Sequence, residues 1–174
     1  MCLPAYARHR NRSGITEEKR MRTLRAAVAI DSFKGSLDSE TLGLAAARGI
    51  MKACAGASVR VIPVADGGEG TSAVLRKLLR ADAVSAKVRD PEGKTIEAEF
   101  GLSGKSAVLE MASASGLTLV PRENRNPWKL STEGTGDLCL AAAAAGADRI
   151  TIGIGGSATS DAGSGFLHSL GGRF

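Results

Sequence analysis

Four short stretches combine glycines, hydroxyls, carboxylates and a lysine at the expected starts of helices. The first is Asp31-Ser32-Phe33-Lys34-Gly35-Ser36, which follows an apolar run. A lysine and hydroxyls beside unpaired helix N–H groups form an anion site, because the helix dipole and the free donors both favour negative charge. The plainer reading is a turn carrying a solvated lysine. Ala65-Asp66-Gly67-Gly68-Glu69-Gly70-Thr71 is the second stretch. Its glycines let a ligand approach the backbone closely, yet Asp66 and Glu69 would repel a bare phosphate. Two carboxylates make sense there if they hold Mg2+ or orient a substrate hydroxyl. A helix cap with an acidic first turn is the competing reading. The third stretch, Ser131-Thr132-Glu133-Gly134-Thr135-Gly136-Asp137, precedes an alanine-rich segment. The fourth runs from Gly153 to Gly163 and offers backbone N–H groups, the hydroxyls of Ser157, Thr159 and Ser160, and the Asp161 carboxylate. That inventory suits a triphosphate and its metal better than an apolar ligand.

Two other patterns carry less. Ser103-Gly104-Lys105-Ser106 contains a Gly-Lys-Ser, but Glu99 stands where a phosphate-binding P-loop needs its first glycine, and the stretch joins two expected strands. Gly153-x-Gly155-x-x-Ala158 matches the loose dinucleotide fingerprint, a weak signal without its acidic ribose partner. His168 is read as a helix-surface or core histidine rather than a base.

The elements that must position these loops follow a strand–loop–helix rhythm. Ala26–Ile30 and Val59–Val64 read as buried parallel strands. Asp38 or Ser39 caps a helix running to about Cys54, and a second helix spans about Thr71 to Leu79 with Val74, Leu75, Leu78 and Leu79 as its apolar stripe. The rhythm then changes. Ala83–Arg89, Lys94–Leu102 and Ala107–Ala112 are short strands in succession, the first two joined at the turn Asp90-Pro91-Glu92-Gly93. A helix from about Asp137 to Ala145, a strand Arg149–Ile154 and a helix opening near Gly163 complete the pattern. The fold class expected is α/β: a Rossmann-like parallel unit over 26–85, then part of a second mixed α/β unit over 86–174. The chain stops at Gly171-Gly172-Arg173-Phe174, where a further strand is due, so it reads as the front part of something larger.

Composition narrows the classes further. At 174 residues, 43% hydrophobic and 24% charged, the chain is globular, and its 3% aromatic content requires a core of small aliphatic side chains. Of 23 basic and 18 acidic residues, seven and two fall within residues 1–25, leaving 16 of each sign in the remainder. The net charge of +5 therefore belongs to a basic, disordered extension over 1–25, with Met21 as an alternative start, and no basic face with aromatic platforms is left for nucleic acid. That segment lacks the apolar core of a secretory signal, and Glu17 and Glu18 oppose a transit-peptide reading. No apolar run approaches the ~20 residues of a membrane span. Cys2, Cys54 and Cys139 are odd in number and widely spaced, which fits a reducing, cytoplasmic setting without disulfides or zinc.

The loops, in this order, resemble the bacterial D-glycerate kinase family. Asp31-Ser32-Phe33-Lys34-Gly35-Ser36-Leu37 and Pro63-Val64-Ala65-Asp66-Gly67-Gly68-Glu69-Gly70-Thr71 are similar to its first two motifs. Glu110-Met111-Ala112-Ser113-Ala114-Ser115-Gly116-Leu117, Arg125-Asn126-Pro127, Gly134-Thr135-Gly136 and Ile152–Thr159 follow in family order over residues 26–174. Ile30, Glu133, Ser160 and Ala162 depart from the family pattern, where Pro, Tyr, Asn and Gly are usual. Ala162 is the riskier change, because a Cβ there obstructs positive φ or a close phosphate contact. Family members continue beyond this length.

The resemblance implies a two-domain kinase transferring phosphate from ATP, with Mg2+, to D-glycerate, giving the 2-phosphate. The partner implied is that small acid, and assembly into a homo-oligomer is left open. Lys34, Asp66 and Asp161 are the expected catalytic residues, with Asp66 and Asp161 on the metal. Ser32, Lys34, Gly67, Gly68 and Glu69 are expected at the substrate, and Thr135, Gly136, Gly155, Gly156, Ser157 and Thr159 at the nucleotide. The alternatives are a nicotinamide- or nucleotide-binding oxidoreductase using the Gly153 loop, and a non-catalytic remnant of a kinase.

Overall fold

The computed structural model describes residues 24–173. Cys2, Met21 and nearly all of the segment expected to be disordered lie outside these residues, but Arg25 already belongs to the first strand. β1 (Arg25–Val28) and β2 (Ser58–Val61) pair in parallel, with Arg25 opposite Ser58 and Val28 opposite Val61. Both are shorter than their apolar runs. After the Ile62 amide donates to the Val28 carbonyl at 2.8 Å, Pro63 has no N–H with which to continue the ladder.

α1 (Ser39–Ala53) crosses between the two strands, as a parallel pair demands. Asp38 caps it, accepting from the Thr41 amide at 2.9 Å and the Thr41 hydroxyl at 2.7 Å. Gly43 lies so close to β2 that a Cβ there would overlap Val61. The buried Ser39 hydroxyl donates to the Ile30 carbonyl at 2.6 Å and accepts from the Val64 amide at 3.0 Å. One side chain thus ties both strand ends together where the two following loops begin.

The second sheet contains β3 (Asp82–Arg89), β4 (Thr95–Ser103), β5 (Ser106–Glu110) and β6 (Arg149–Gly153) in that spatial order. β3, β4 and β5 are antiparallel neighbours, and β5 and β6 are parallel. Asp90 closes the first turn by accepting from the Glu92 and Lys94 amides, each at 2.8 Å. α4 (Glu133–Ala144) precedes β6 and lies on one face of the sheet. Strand alternation sorts the side chains: Val88, Ala98, Phe100, Ala107 and Leu109 meet Leu138, Cys139 and Ala142 of α4 in the buried core. Gly101 and Val108 point to the other face, against Arg76 of α2 (Thr71–Leu79). The remaining helices, α3 (Ala112–Ser115) and α5 (Ser164–Ser169), are short and flank the loops. No helix among the described residues is long and apolar enough to cross a membrane.

The architecture is α/β as expected, a parallel βαβ unit followed by a mixed sheet. Two boundaries move. Residue 85, expected to divide the 26–85 unit from the 86–174 unit, sits inside β3, and α2 already packs on β4 and β5. The change of sheet therefore falls in the link between β2 and α2. The alanine-rich helix begins at Glu133, a turn before the expected Asp137. Gly134 and Gly136 are inside it because neighbouring backbone leaves no room for a side chain, and this tertiary packing overrides their poor helix propensity.

Candidate functional site

The loop after β2 and the loop after β6 cross each other in direct backbone contact. The Gly155 amide donates to the Gly67 carbonyl at 2.8 Å. A Cβ on Gly153 would lie 2.6 Å from the Gly67 oxygen, and one on Gly155 would lie 2.8 Å from Gly68 Cα. The glycines that looked ready for a ligand are thus consumed largely by each other. Gly68 is buried, and the crossing loops line different hollows, the first through Ala65, Glu69 and Gly70 and the second through Ile154, Ser157 and Thr159.

Beside the first loop lie two adjoining hollows of about 260 and about 240 Å3, which share Ser32, Asp38, Glu69 and Gly70. Lys34 and Ser36 line the smaller. The loop carrying them is closed by the Ser36 amide donating to the Phe33 carbonyl at 2.8 Å. Lys34 is exposed and makes no ion pair among the described residues, whereas Lys77, in the larger hollow, pairs with Glu40. Three predicted substrate residues, Ser32, Lys34 and Glu69, are therefore brought together. Asp66 stands at the crossing, exposed, with one carboxylate oxygen accepting from the Gly68 amide at 2.8 Å.

Beside the second loop is a hollow of about 530 Å3. Ser157, Thr159, Ser160, Thr132 and Thr135 supply hydroxyls, and Met111, Ile152, Ile154 and Phe166 supply apolar surface. Ser157 and Thr159 are bonded to one another through their hydroxyls at 3.0 Å. Thr135 is almost wholly buried and donates to the Ser115 hydroxyl at 2.8 Å. Gly136, expected at the nucleotide, faces α5 instead: a Cβ would lie 2.6 Å from Ser169 Cβ.

Asp161 lines this hollow, but both of its oxygens are committed. Oδ2 accepts from the Thr132 amide (2.9 Å), the Thr132 hydroxyl (2.7 Å) and the Gly165 amide (3.1 Å), while Oδ1 accepts from the Gly163 amide at 3.0 Å. Burial pushes its carboxyl up, but the bonds from Thr132, Gly163 and Gly165 outweigh burial and hold it below the ordinary carboxylate range. The expectation that Asp161 offers free lone pairs to a metal or a proton does not match this geometry; it fastens the loop to α4 and to the start of α5. Among the described residues no three His, Cys, Asp or Glu side chains cluster as a metal cage.

Sequence reasoning missed Glu110 as a site residue. This buried carboxylate at the end of β5 accepts from the Ser72 amide at 2.8 Å and the Gly70 amide at 3.3 Å, capping α2 from another element. Its register partner in β6 is Gly153, so one residue abuts both crossing loops. The N-terminus of α2 thus already faces an internal anion. Its only sequence signal was its place in the Glu110–Leu117 motif.

An ionic network joins β3, α4 and α5. Arg89 grips Asp137 through two nitrogens at 2.8 and 2.6 Å and reaches Glu133 at 2.7 Å. Ser169 donates to Asp137 at 2.6 Å, and exposed His168 meets Glu133 at 2.7 Å. The Arg89 guanidinium, helped by Ser169, holds Asp137 down at about 2 against the opposing effect of burial. His168 therefore packs as a surface residue and lines neither hollow.

Residues 26–174 match the model of the glycerate kinase family. The chain belongs to the glycerate kinase family. A Bacillus subtilis glycerate kinase is 48% identical over 148 residues, covering 84% of this chain and 39% of that protein. The Escherichia coli glycerate 2-kinase is 41% identical over 152 residues, covering 86% of this chain and 40% of its own length. A crystal structure assigned to glycerate kinase 2 of Salmonella typhimurium LT2 superposes with a TM-score of 0.67 at 40% identity, again covering 86% of this chain and 40% of that one. The chain thus spans about 40% of the length of these relatives.

Within a glycerate kinase frame, the dinucleotide fingerprint loses its force. Ala158 is buried with Val120 and Leu130, its amide donates to the Ser115 carbonyl at 2.9 Å, and α5 opens only at Ser164. The loop therefore does not run from strand straight into helix, as dinucleotide binding requires. Of the residues that depart from the family pattern, Glu133 joins the Arg89 network and Ala162 takes φ +54°.

Proposed function

We propose that this chain carries the substrate and nucleotide loops of a kinase transferring the γ-phosphoryl group of ATP to D-glycerate, yielding 2-phosphoglycerate and ADP in the cytosol. The observation that carries this reading is the placement of the two hollows. A cationic, hydroxyl-bearing one around Ser32, Lys34 and Glu69 is lined in part by the loop after β2, a nucleotide-sized one around Ser157 and Thr159 by the loop after β6, and the two loops touch where the Gly155 amide donates to the Gly67 carbonyl. Loops in direct contact can bring two reactants together, and positioning is most of what phosphoryl transfer asks of a protein.

In this reading Lys34 pairs with the glycerate carboxylate or with the transferring phosphate, while Ser32 and Glu69 orient the substrate hydroxyls. Asp66 has one oxygen left over from its bond to Gly68, and it would hold Mg2+ together with phosphate oxygens, the coordination Mg2+ commonly adopts. When bound, the ion neutralises charge on the phosphates. Asp161 is reassigned from metal ligand and base to a positioning role, because its four accepted hydrogen bonds leave it little to offer a ligand.

The test is ADP release in the presence of ATP, Mg2+ and either D-glycerate or L-glycerate. Release that depends on D-glycerate, and falls by about 10² or more in Asp66→Asn, supports the proposal. ATP binding without phosphorylation of any hydroxy acid contradicts it.

A further inference from the structure

α2 begins without a cap of its own. Gly70, the residue before its first turn, has no side chain with which to accept a hydrogen bond, and it holds φ +91°. The acceptor comes instead from β5. The buried Glu110 carboxylate takes the Ser72 amide on Oε2 at 2.8 Å and the Gly70 amide on Oε1 at 3.3 Å. Each oxygen serves one amide, so the carboxylate spans the first turn. The Ser72 hydroxyl adds a further tie to β5 by donating to the Val108 carbonyl at 3.5 Å. Glu110 is itself held at its backbone, where its carbonyl accepts from the Ser113 hydroxyl at 2.8 Å.

What this arrangement fixes is the segment Glu69–Gly70, and these two residues line both hollows beside the first loop. Glu110 lines neither of them, so it acts at one remove. Its charge has a second effect. Free N–H groups at a helix start attract anions, and Gly70 borders the hollow in which Lys34 stands. With Glu110 already on the Gly70 and Ser72 amides, Lys34 is left as the group that receives a substrate carboxylate.

We infer that Glu110 is a positioning residue for the phosphoryl acceptor: it sets Glu69 and Gly70 against Lys34 and keeps the acceptor's carboxylate off the start of α2. The inference rests on the kinase reading and extends it to a residue outside the hollows. It touches one substrate only, because the hydrogen bonds of the Glu110 side chain go to the first loop and not to the loop after β6.

The experiment measures steady-state ADP release by the 174-residue chain, with D-glycerate and ATP varied in turn. Glu110→Gln keeps the shape of the side chain but presents a donor where one of the two amides needs an acceptor. It is expected to raise KM for D-glycerate about tenfold, while KM for ATP and kcat stay within about twofold. Glu110→Asp retains both acceptor oxygens one methylene farther away and is expected to show the same split with a smaller rise. Arg76→Ala loosens α2 farther along, where the guanidinium meets Glu99, and is expected to leave both KM values unchanged. A merely structural Glu110 would lower the folded fraction, and with it kcat, without moving either KM. Unchanged KM values, or equal rises for both substrates, in either Glu110 variant overturn the inference and leave the kinase reading intact. A wild-type chain that releases no ADP in response to D-glycerate removes the kinase reading and this inference together.

Discussion

At position 162 the backbone takes φ +54°, a left-handed conformation that costs an L-residue with a Cβ roughly 1–2 kcal/mol. The resemblance drawn from the sequence marked Ala162 as the awkward departure. Ala162→Gly is expected to stabilise the chain by up to about 1 kcal/mol in a denaturant titration, the relief being partly offset by the entropy of a new glycine. No gain in midpoint would mean that the loop relaxes around the alanine. Residue types were the most legible part of the site: Ser32, Lys34 and Glu69 do converge on one hollow. What single residues hid was whether their polar atoms were already spent. Asp66 and Asp161 look alike in a string, yet one keeps an uncommitted oxygen and the other accepts four hydrogen bonds.

Between elements, the decisive contacts come from distant parts of the chain. Local caps such as Asp38 before α1 can be read from spacing, because donor and acceptor are three residues apart. The cap of α2 cannot, because Glu110 reaches Ser72 across 38 positions. Its substitution offers a clear test. Glu110→Ala leaves the buried Ser72 amide and the half-buried Gly70 amide without an acceptor and is expected to destabilise folding by about 1–3 kcal/mol, seen as a lower midpoint in urea. An unchanged midpoint would show that the α2 terminus needs no partner. The glycines at the loop crossing were legible as special but not as partners, since their need for space is set by another loop.

The Arg89–Asp137 clamp between β3 and α4 makes a prediction about pH. Asp137 lies at about 2 in the folded chain, below its ordinary 3.8, so the folded state favours the charged carboxylate. That contribution is complete above the unfolded value and is lost as pH falls from about 5 toward 2. Linkage places it on the order of 2 kcal/mol. Stability measured by chemical denaturation should drop over this window in the native sequence and drop less in Asp137→Asn, which starts lower. Equal slopes in both would remove the clamp from the account.

Over the whole molecule, the order of elements was readable from periodicity, including the change from parallel to antiparallel strands. The division between sheets was not. Composition shifts near residue 85, whereas α2 already packs on the second sheet because its apolar stripe and Arg76 face β4 and β5. A helix shows in sequence that it has an apolar face, but not which sheet will cover it. This assignment matters for function, since it places α2 between the two sheets' loops and lets Gly67 and Gly68 meet the β6 loop. In the proposed reading the two loops that touch there each line a ligand hollow.

That account is tested most directly by 31P NMR of the protein with ATP, Mg2+ and D-glycerate. It predicts a new phosphomonoester resonance coupled to the single proton on carbon 2 of glycerate, growing in step with ADP and absent without the acid. Loss of the γ-phosphate as inorganic phosphate regardless of glycerate, or an unchanged spectrum while ATP is bound, would contradict it.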